Sequence, residues 1–117
     1  MNLQMEMEKH RETLIVRLSG ELDHHTADSV RLKLDEEIAR GRCRDLVFSL
    51  KALQFMDSSG LGVILGRYKL IKQKGGRMVI CDVTPSVFRL FEMSGLFKIM
   101  PVVDNEGAAL SELEVAL

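Results

Sequence analysis

Apolar and polar positions divide the chain into short segments of two different periods. Leu3, Met5 and Met7 alternate with polar residues, the period of two expected of a strand with one buried face. After His10-Arg11-Glu12 the run Leu14-Ile15-Val16-Arg17-Leu18 reads as a second strand, and the short polar gap predicts a hairpin. Ser19 to Thr26 is polar and reads as a loop. The period then changes. Ala27, Val30, Leu34 and Ile38 recur at helical spacing, with Asp23 or Thr26 as candidate cap and Gly41 at the end. Leu46 to Leu50 predicts a mostly buried strand. A helix starting at Asp57-Ser58-Ser59 carries Leu61, Ile64, Leu65, Tyr68 and Ile71 as an apolar stripe, and Gly75-Gly76 stops it. Met78 to Cys81 is a strand. Thr84-Pro85 opens a helix with Val87, Phe88 and Phe91 on its apolar face, and Gly95 closes it. Lys98-Ile99-Met100 predicts a short strand. Asp104 or Asn105 caps a last helix with Leu110, Leu113 and Leu117 on one side.

A hairpin followed by alternating helices and strands predicts an α/β domain: a mixed sheet, largely parallel after the hairpin, covered by helices. No linker, repeat or low-complexity tract interrupts it, so residues 1–117 read as one domain. In such sheets, functional residues gather at the carboxyl ends of the strands. Two loops are expected to meet there, 20–26 and 54–60.

Composition narrows the function more than the fold. Of 117 residues, 46% are apolar and 28% charged, the balance of a soluble globular domain with one core. The N-terminus lacks a basic start and an apolar core, and no apolar run approaches the ~20 residues of a membrane span. A cytoplasmic protein without membrane contact is expected. The formal net charge of −1 supplies no basic face for nucleic acid. Cys43 and Cys81 form no Cys-x-x-Cys and are expected to be free, reduced thiols, small and buried.

Asp57-Ser58-Ser59-Gly60 holds the candidate chemistry. Capping alone accounts for Asp and Ser at a helix start. It does not account for Gly60, Gly62 and Gly66, each of which costs a helix up to ~1 kcal/mol relative to alanine. Tight packing on the sheet, or a bare backbone open to close approach by a partner, would justify them. A serine hydroxyl at an exposed helix start is also a favourable place for a phosphate. Glu21 and Asp23 would then form a negative patch beside it.

Other chemistries fit less well. A serine hydrolase needs a base and an oxyanion loop. His24 and His25 could approach Ser58, but the context is not Gly-x-Ser-x-Gly. The histidine pair reads as solvated loop, because further zinc ligands at workable spacing are missing. A receiver domain phosphorylated on Asp57 would need an acidic pair for Mg²⁺, which Glu21 and Asp23 imitate poorly. No nucleotide-cradling glycine motif occurs. Neither a cofactor nor a metal is expected.

Ser19-Gly20-Glu21-Leu22-Asp23, Phe55-Met56-Asp57-Ser58-Ser59-Gly60-Leu61-Gly62, Gly76-Arg77-Met78-Val79 and Met93-Ser94-Gly95-Leu96-Phe97-Lys98 together resemble the STAS domain of anti-sigma factor antagonists, over essentially the whole chain. The sporulation branch is the nearest in wording; a stress-response antagonist or a transporter-associated STAS domain is the alternative within the fold. The resemblance implies a regulatory binding protein and not an enzyme. Its partner would be the anti-sigma F factor, an ATP-dependent serine kinase that holds the nucleotide itself. The unphosphorylated antagonist would bind that kinase and release sigma factor F to transcription. Phosphorylation on Ser58 would inactivate the antagonist, and a membrane-bound serine phosphatase would restore it. Glu21, Asp23, Asp57, Ser59, Gly60, Leu61 and Gly62 are the expected partner surface.

Overall fold

A computed structural model describes residues 2–41 and 43–114. The element order is β1 (Leu3–His10), β2 (Thr13–Leu22), α1 (Ala27–Arg40), β3 (Asp45–Met56), α2 (Ser58–Gln73), β4 (Met78–Cys81), α3 (Pro85–Ser94), β5 (Val102–Val103) and α4 (Glu106–Glu114). One five-stranded sheet runs β1-β2-β3-β4-β5. The β1–β2 pair is antiparallel, and every later pair is parallel.

The period of two sorts the central strands onto two faces. Leu14, Val16 and Leu18 of β2, Leu46, Phe48 and Leu50 of β3, and Met78 and Ile80 of β4 point into the main core beneath α1, α2 and α3. Ile15, Val47, Val79 and Cys81 point the other way and pack with Ala109 and Leu113 of α4. Both faces are therefore apolar at the sheet centre, as a covered parallel sheet requires. Arg17 ties α4 to the hairpin: its guanidinium donates to both Glu106 oxygens, at 2.7 and 2.9 Å, and pairs with Glu8 at 2.9 Å.

Two strands run further than their sequence pattern shows. β2 continues through Ser19-Gly20-Glu21-Leu22, read above as loop. Gly20 has φ +98°, and a Cβ there would lie 2.0 Å from the Asn2 carbonyl oxygen, so the close approach of the N-terminal segment demands glycine. β3 continues to Met56, beyond the predicted end at Leu50. Its register against β2 shifts twice, between Arg17 and Ser19 and between Gly20 and Glu21, each time with an extra residue in β3. These bulges replace alternation by burial at every third residue, Leu50, Leu53 and Met56.

One element differs in kind. Lys98-Ile99-Met100 is not a strand. A 3₁₀ turn covers Leu96–Lys98, with the Ile99 N–H donating to the Leu96 carbonyl at 2.9 Å, and the edge strand follows Pro101. Met100 is buried by this turn, so its apolar character served the core without a strand. The caps are Thr26 for α1 and Thr84, with Pro85 in the first turn, for α3. Asn105 caps α4 through its side chain, which accepts from the Ala108 N–H at 2.8 Å. Leu110 and Leu113 lie on the packed side of α4; Leu117 lies outside the described residues.

Candidate functional site: the β3–α2 junction

β2 and β3 pair in parallel, so Leu22 and Met56 are register partners and both strands release their chains at the same edge. The two expected loops meet there. The Asp57 N–H donates to the Leu22 carbonyl at 3.3 Å, and the Asp57 side chain completes the junction. Its Oδ1 accepts from the N–H groups of Ser59 and Gly60, at 2.9 and 3.1 Å, which caps α2. Its Oδ2 accepts from the backbone N–H of His24 at 3.1 Å. One carboxylate thus satisfies the helix start and holds the neighbouring loop. Partial burial disfavours its ionisation, but the N–H groups of Gly60, His24 and Ser59 outweigh that and hold its pKa below the ordinary aspartate value.

Asp57 is the N-cap, so Ser58 is the first residue inside α2, and it is exposed. Ser59 and Leu61 are half-buried, and Gly62 is exposed with open space where a Cβ would stand. Glu21, at the end of β2, is half-buried. Glu21 is the register partner of Phe55, two residues before the Asp57 cap. Phe55 itself, 47% exposed near the end of β3, was left out of the sequence reading of this region. A large aromatic side chain exposed beside a polar motif was the available signal.

Two expected surface residues lie underneath instead. Asp23 is only 7% exposed, and its Oδ1 accepts from the His25 N–H at 2.9 Å and from the Thr26 N–H and hydroxyl at 3.2 Å each. Burial works against its charge; these donors and the nearby His25 prevail and lower its pKa. It organises the loop ahead of α1. Gly60 is buried, and a Cβ on it would stand 2.6 Å from the Leu22 carbonyl oxygen and 2.7 Å from Met56 Cγ. Of the three helical glycines, Gly60 therefore answers to packing, whereas Gly62 and Gly66 leave open backbone.

The inward face of α2 is Gly60, Val63, Ile64, Arg67 and Ile71, with the predicted Leu61, Leu65 and Tyr68 half-buried on its flanks. Arg67 was not foreseen in a core. Its Nε lies 3.1 Å from Asp35 Oδ1 on α1, and its Nη1 makes no hydrogen bond with the described residues. Burial pulls its pKa below the ordinary arginine value, against the attraction of Asp35.

His24 and His25 are exposed, with ring centroids 3.9 Å apart. Among the described residues no three His, Cys, Asp or Glu side chains converge as a metal site. Cys43 and Cys81 are buried free thiols, and burial, chiefly, pushes Cys81 up to about 12. An open cleft of about 710 Å³ lies beside α3, lined by residues including Lys51, Asp82, Phe88 and Phe97, and none of the Ser58 surface contributes to it. No helix of the described chain is long and apolar enough to cross a membrane.

This fold, with its serine-bearing helix start beside the β2 loop, has known relatives. Residues 4–109 match the STAS domain, and the chain belongs to that family. It is 72% identical over 115 residues, 98% of each chain, to the anti-sigma F factor antagonist of Paenibacillus polymyxa. It is 32% identical over 102 residues to the anti-sigma-B factor antagonist of Bacillus subtilis (strain 168), covering 87% of this chain and 92% of that one. Among solved structures it matches the anti-sigma factor antagonist SpoIIAA in its unphosphorylated form, with a TM-score of 0.74 and 31% identity over 98% of this chain and 100% of that one. It matches the phosphorylated form of the Bacillus cell fate determinant SpoIIAA with a TM-score of 0.76 and 33% identity, over 95% and 100% of the two chains.

Proposed function

We propose that this chain is an anti-sigma factor antagonist switched by phosphorylation of Ser58. The observation that carries the reading is the exposed Ser58 hydroxyl on the first residue of α2, held at the carboxyl edge of the sheet by the Asp57 cap. In the unphosphorylated form, Ser58, Ser59, Leu61, Gly62, Glu21 and Phe55 contact an anti-sigma factor that is also a serine kinase. The resemblance and the 72% identity to an anti-sigma F factor antagonist favour the sporulation kinase over a stress-response one. That kinase brings the nucleotide. Binding frees sigma factor F, phosphate on Ser58 ends the binding, and a serine phosphatase restores it. The protein acts in the cytoplasm, by binding and not by catalysis.

Two contacts change their meaning with the geometry. Asp23 and Gly60 support the surface from below: Asp23 shapes the loop that bears His24, and Gly60 lets α2 start against Leu22. The receiver alternative loses support at Asp57, whose two oxygens are engaged by three backbone N–H groups instead of facing solvent as a phosphate acceptor.

The test is incubation with the anti-sigma F kinase and ATP, followed by mass spectrometry and a base wash that removes acyl phosphate but spares a serine ester. Phosphate is expected on Ser58, with none taken up by Ser58→Ala. Because Ser58 is not the cap, that variant is expected to melt within a few degrees of the parent. Stoichiometric phosphate in Ser58→Ala would move the switch to another residue, Ser59 first.

A further inference from the structure

Ser58 sits between chain segments with no fixed positive charge. Residues 20–26 and 53–62 carry the carboxylates of Glu21, Asp23 and Asp57 and contain no lysine or arginine. At the start of α1, Asp28 and Arg31 are paired with each other at 3.3 Å. His24 and His25 are the two side chains of these segments able to become cations. His24 is also the one already held in place. Its backbone N–H donates to Asp57 Oδ2, and its Nδ1 lies 3.5 Å from the same oxygen. The His25 ring stacks against it, tilted by 40°.

A phosphate on Ser58 would enter a crowded electrostatic setting. It adds about −1.5 to −2 charges next to a carboxylate. The N–H groups of Ser59 and Gly60, which a phosphate at a helix start would use, already serve Asp57. An imidazole with an ordinary pKa near 6.5 can answer by taking a proton from solvent.

We propose that His24 is the counter-group of a phosphate on Ser58: phosphorylation draws a proton onto His24, and the phosphorylated protein carries an imidazolium–phosphate pair that is present below neutral pH and lost above it. This inference rests on Ser58 being the modified residue. The sign follows from the charges. A nearby phosphate favours the cationic imidazole, so the His24 pKa rises; reciprocally, an imidazolium favours the dianion, so the second phosphate pKa falls. His25, one ring away, weakens the effect if it is charged as well. The two titrations are thereby pushed apart, the phosphate to below about pH 6 and the imidazole to near neutrality or above.

The experiment uses full-length protein with phosphoserine installed at position 58 during translation, so it needs no kinase. Imidazole carbon–proton NMR follows His10, His24 and His25 from pH 5 to 9 in modified and unmodified protein, and phosphorus NMR follows the phosphate. The His24 midpoint is expected to rise by about 0.5 to 1 unit on phosphorylation. His10 is the internal control, because the ten residues of β2 separate it from the site by roughly 30 Å. His24→Gln keeps the backbone N–H that binds Asp57, and it should raise the phosphate midpoint by a similar amount. A His24 shift no larger than that of His10, or a shift confined to His25, overturns the assignment. A kinase that leaves Ser58 unmodified would overturn the proposed function while leaving this measurement intact.

Discussion

Asp57 joins two chain segments with one carboxylate, holding the His24 N–H with one oxygen and the start of α2 with the other. Asp57→Ala removes the cap of α2 and the link to the His24 N–H together. The expected cost is about 1–2 kcal/mol, chiefly from the lost cap, since the His24 N–H can turn to water. In a domain of this size that lowers the melting temperature by several degrees. Amide exchange should accelerate at His24, Ser59 and Gly60 and stay unchanged in β3 and β4, which separates a local clasp from general destabilisation. Much of this scale was legible in the sequence. Asp57-Ser58-Ser59-Gly60 announced a capped helix start because capping is a local matter of residue type. The partner of the second Asp57 oxygen was not legible, since the His24 link is a backbone contact across thirty-three positions that any residue except proline could make. Asp23 misled for a related reason: a carboxylate in a polar loop reads as surface, and only the folded turn shows three donors closing over it.

At the scale of elements, α1 and α2 are joined by the Asp35–Arg67 pair, with Arg67 buried and Asp35 half-exposed. Asp35→Ala leaves a buried guanidinium without its counter-charge and is expected to cost about 1–3 kcal/mol in urea unfolding. The double variant Asp35→Ala with Arg67→Met replaces the pair by an apolar contact and should recover most of that loss. Equal destabilisation of the single and double variants would show that shape, not charge, matters at this contact. Arg67 also marks where periodicity stopped being informative. The apolar stripe of α2 placed the helix, but its inward face contains a glycine and an arginine that no hydrophobic pattern selects. Bulges hid the second half of β3 in the same way, by removing the alternation on which a strand is recognised. Lys98-Ile99-Met100, at the end of the turn over Leu96–Lys98, was read as a strand because three residues with two apolar side chains fit either form.

For the whole molecule, three carboxylates share one consequence. Asp57 and Asp23 are lowered as described, and Glu106 is lowered first by the hydrogen bonds from Arg17. A carboxylate lowered in the folded state stabilises above its unfolded pKa of about 4, and that contribution is lost as pH falls through the folded value. Urea midpoints should therefore be flat from pH 7 to 5 and fall below about pH 4, with a shallower fall in Asp57→Asn. The mixed sheet with its opening hairpin followed from the sequence pattern, because order along the chain and right-handed crossovers leave few alternatives. That architecture also places the cap ahead of Ser58 in the β3–α2 junction, so a phosphate added there, as proposed, would meet a fixed surface. Both forms of SpoIIAA match this fold to a similar degree, with TM-scores of 0.74 and 0.76. The most direct measurement is a calorimetric titration of the anti-sigma F kinase with unmodified and Ser58-phosphorylated protein, alongside thermal melts of both. Melting temperatures within a few degrees of each other are expected, with an affinity reduced by the phosphate at least about tenfold, or about 1.4 kcal/mol. Unchanged affinity, or a large fall in melting temperature accompanying the lost binding, would contradict it.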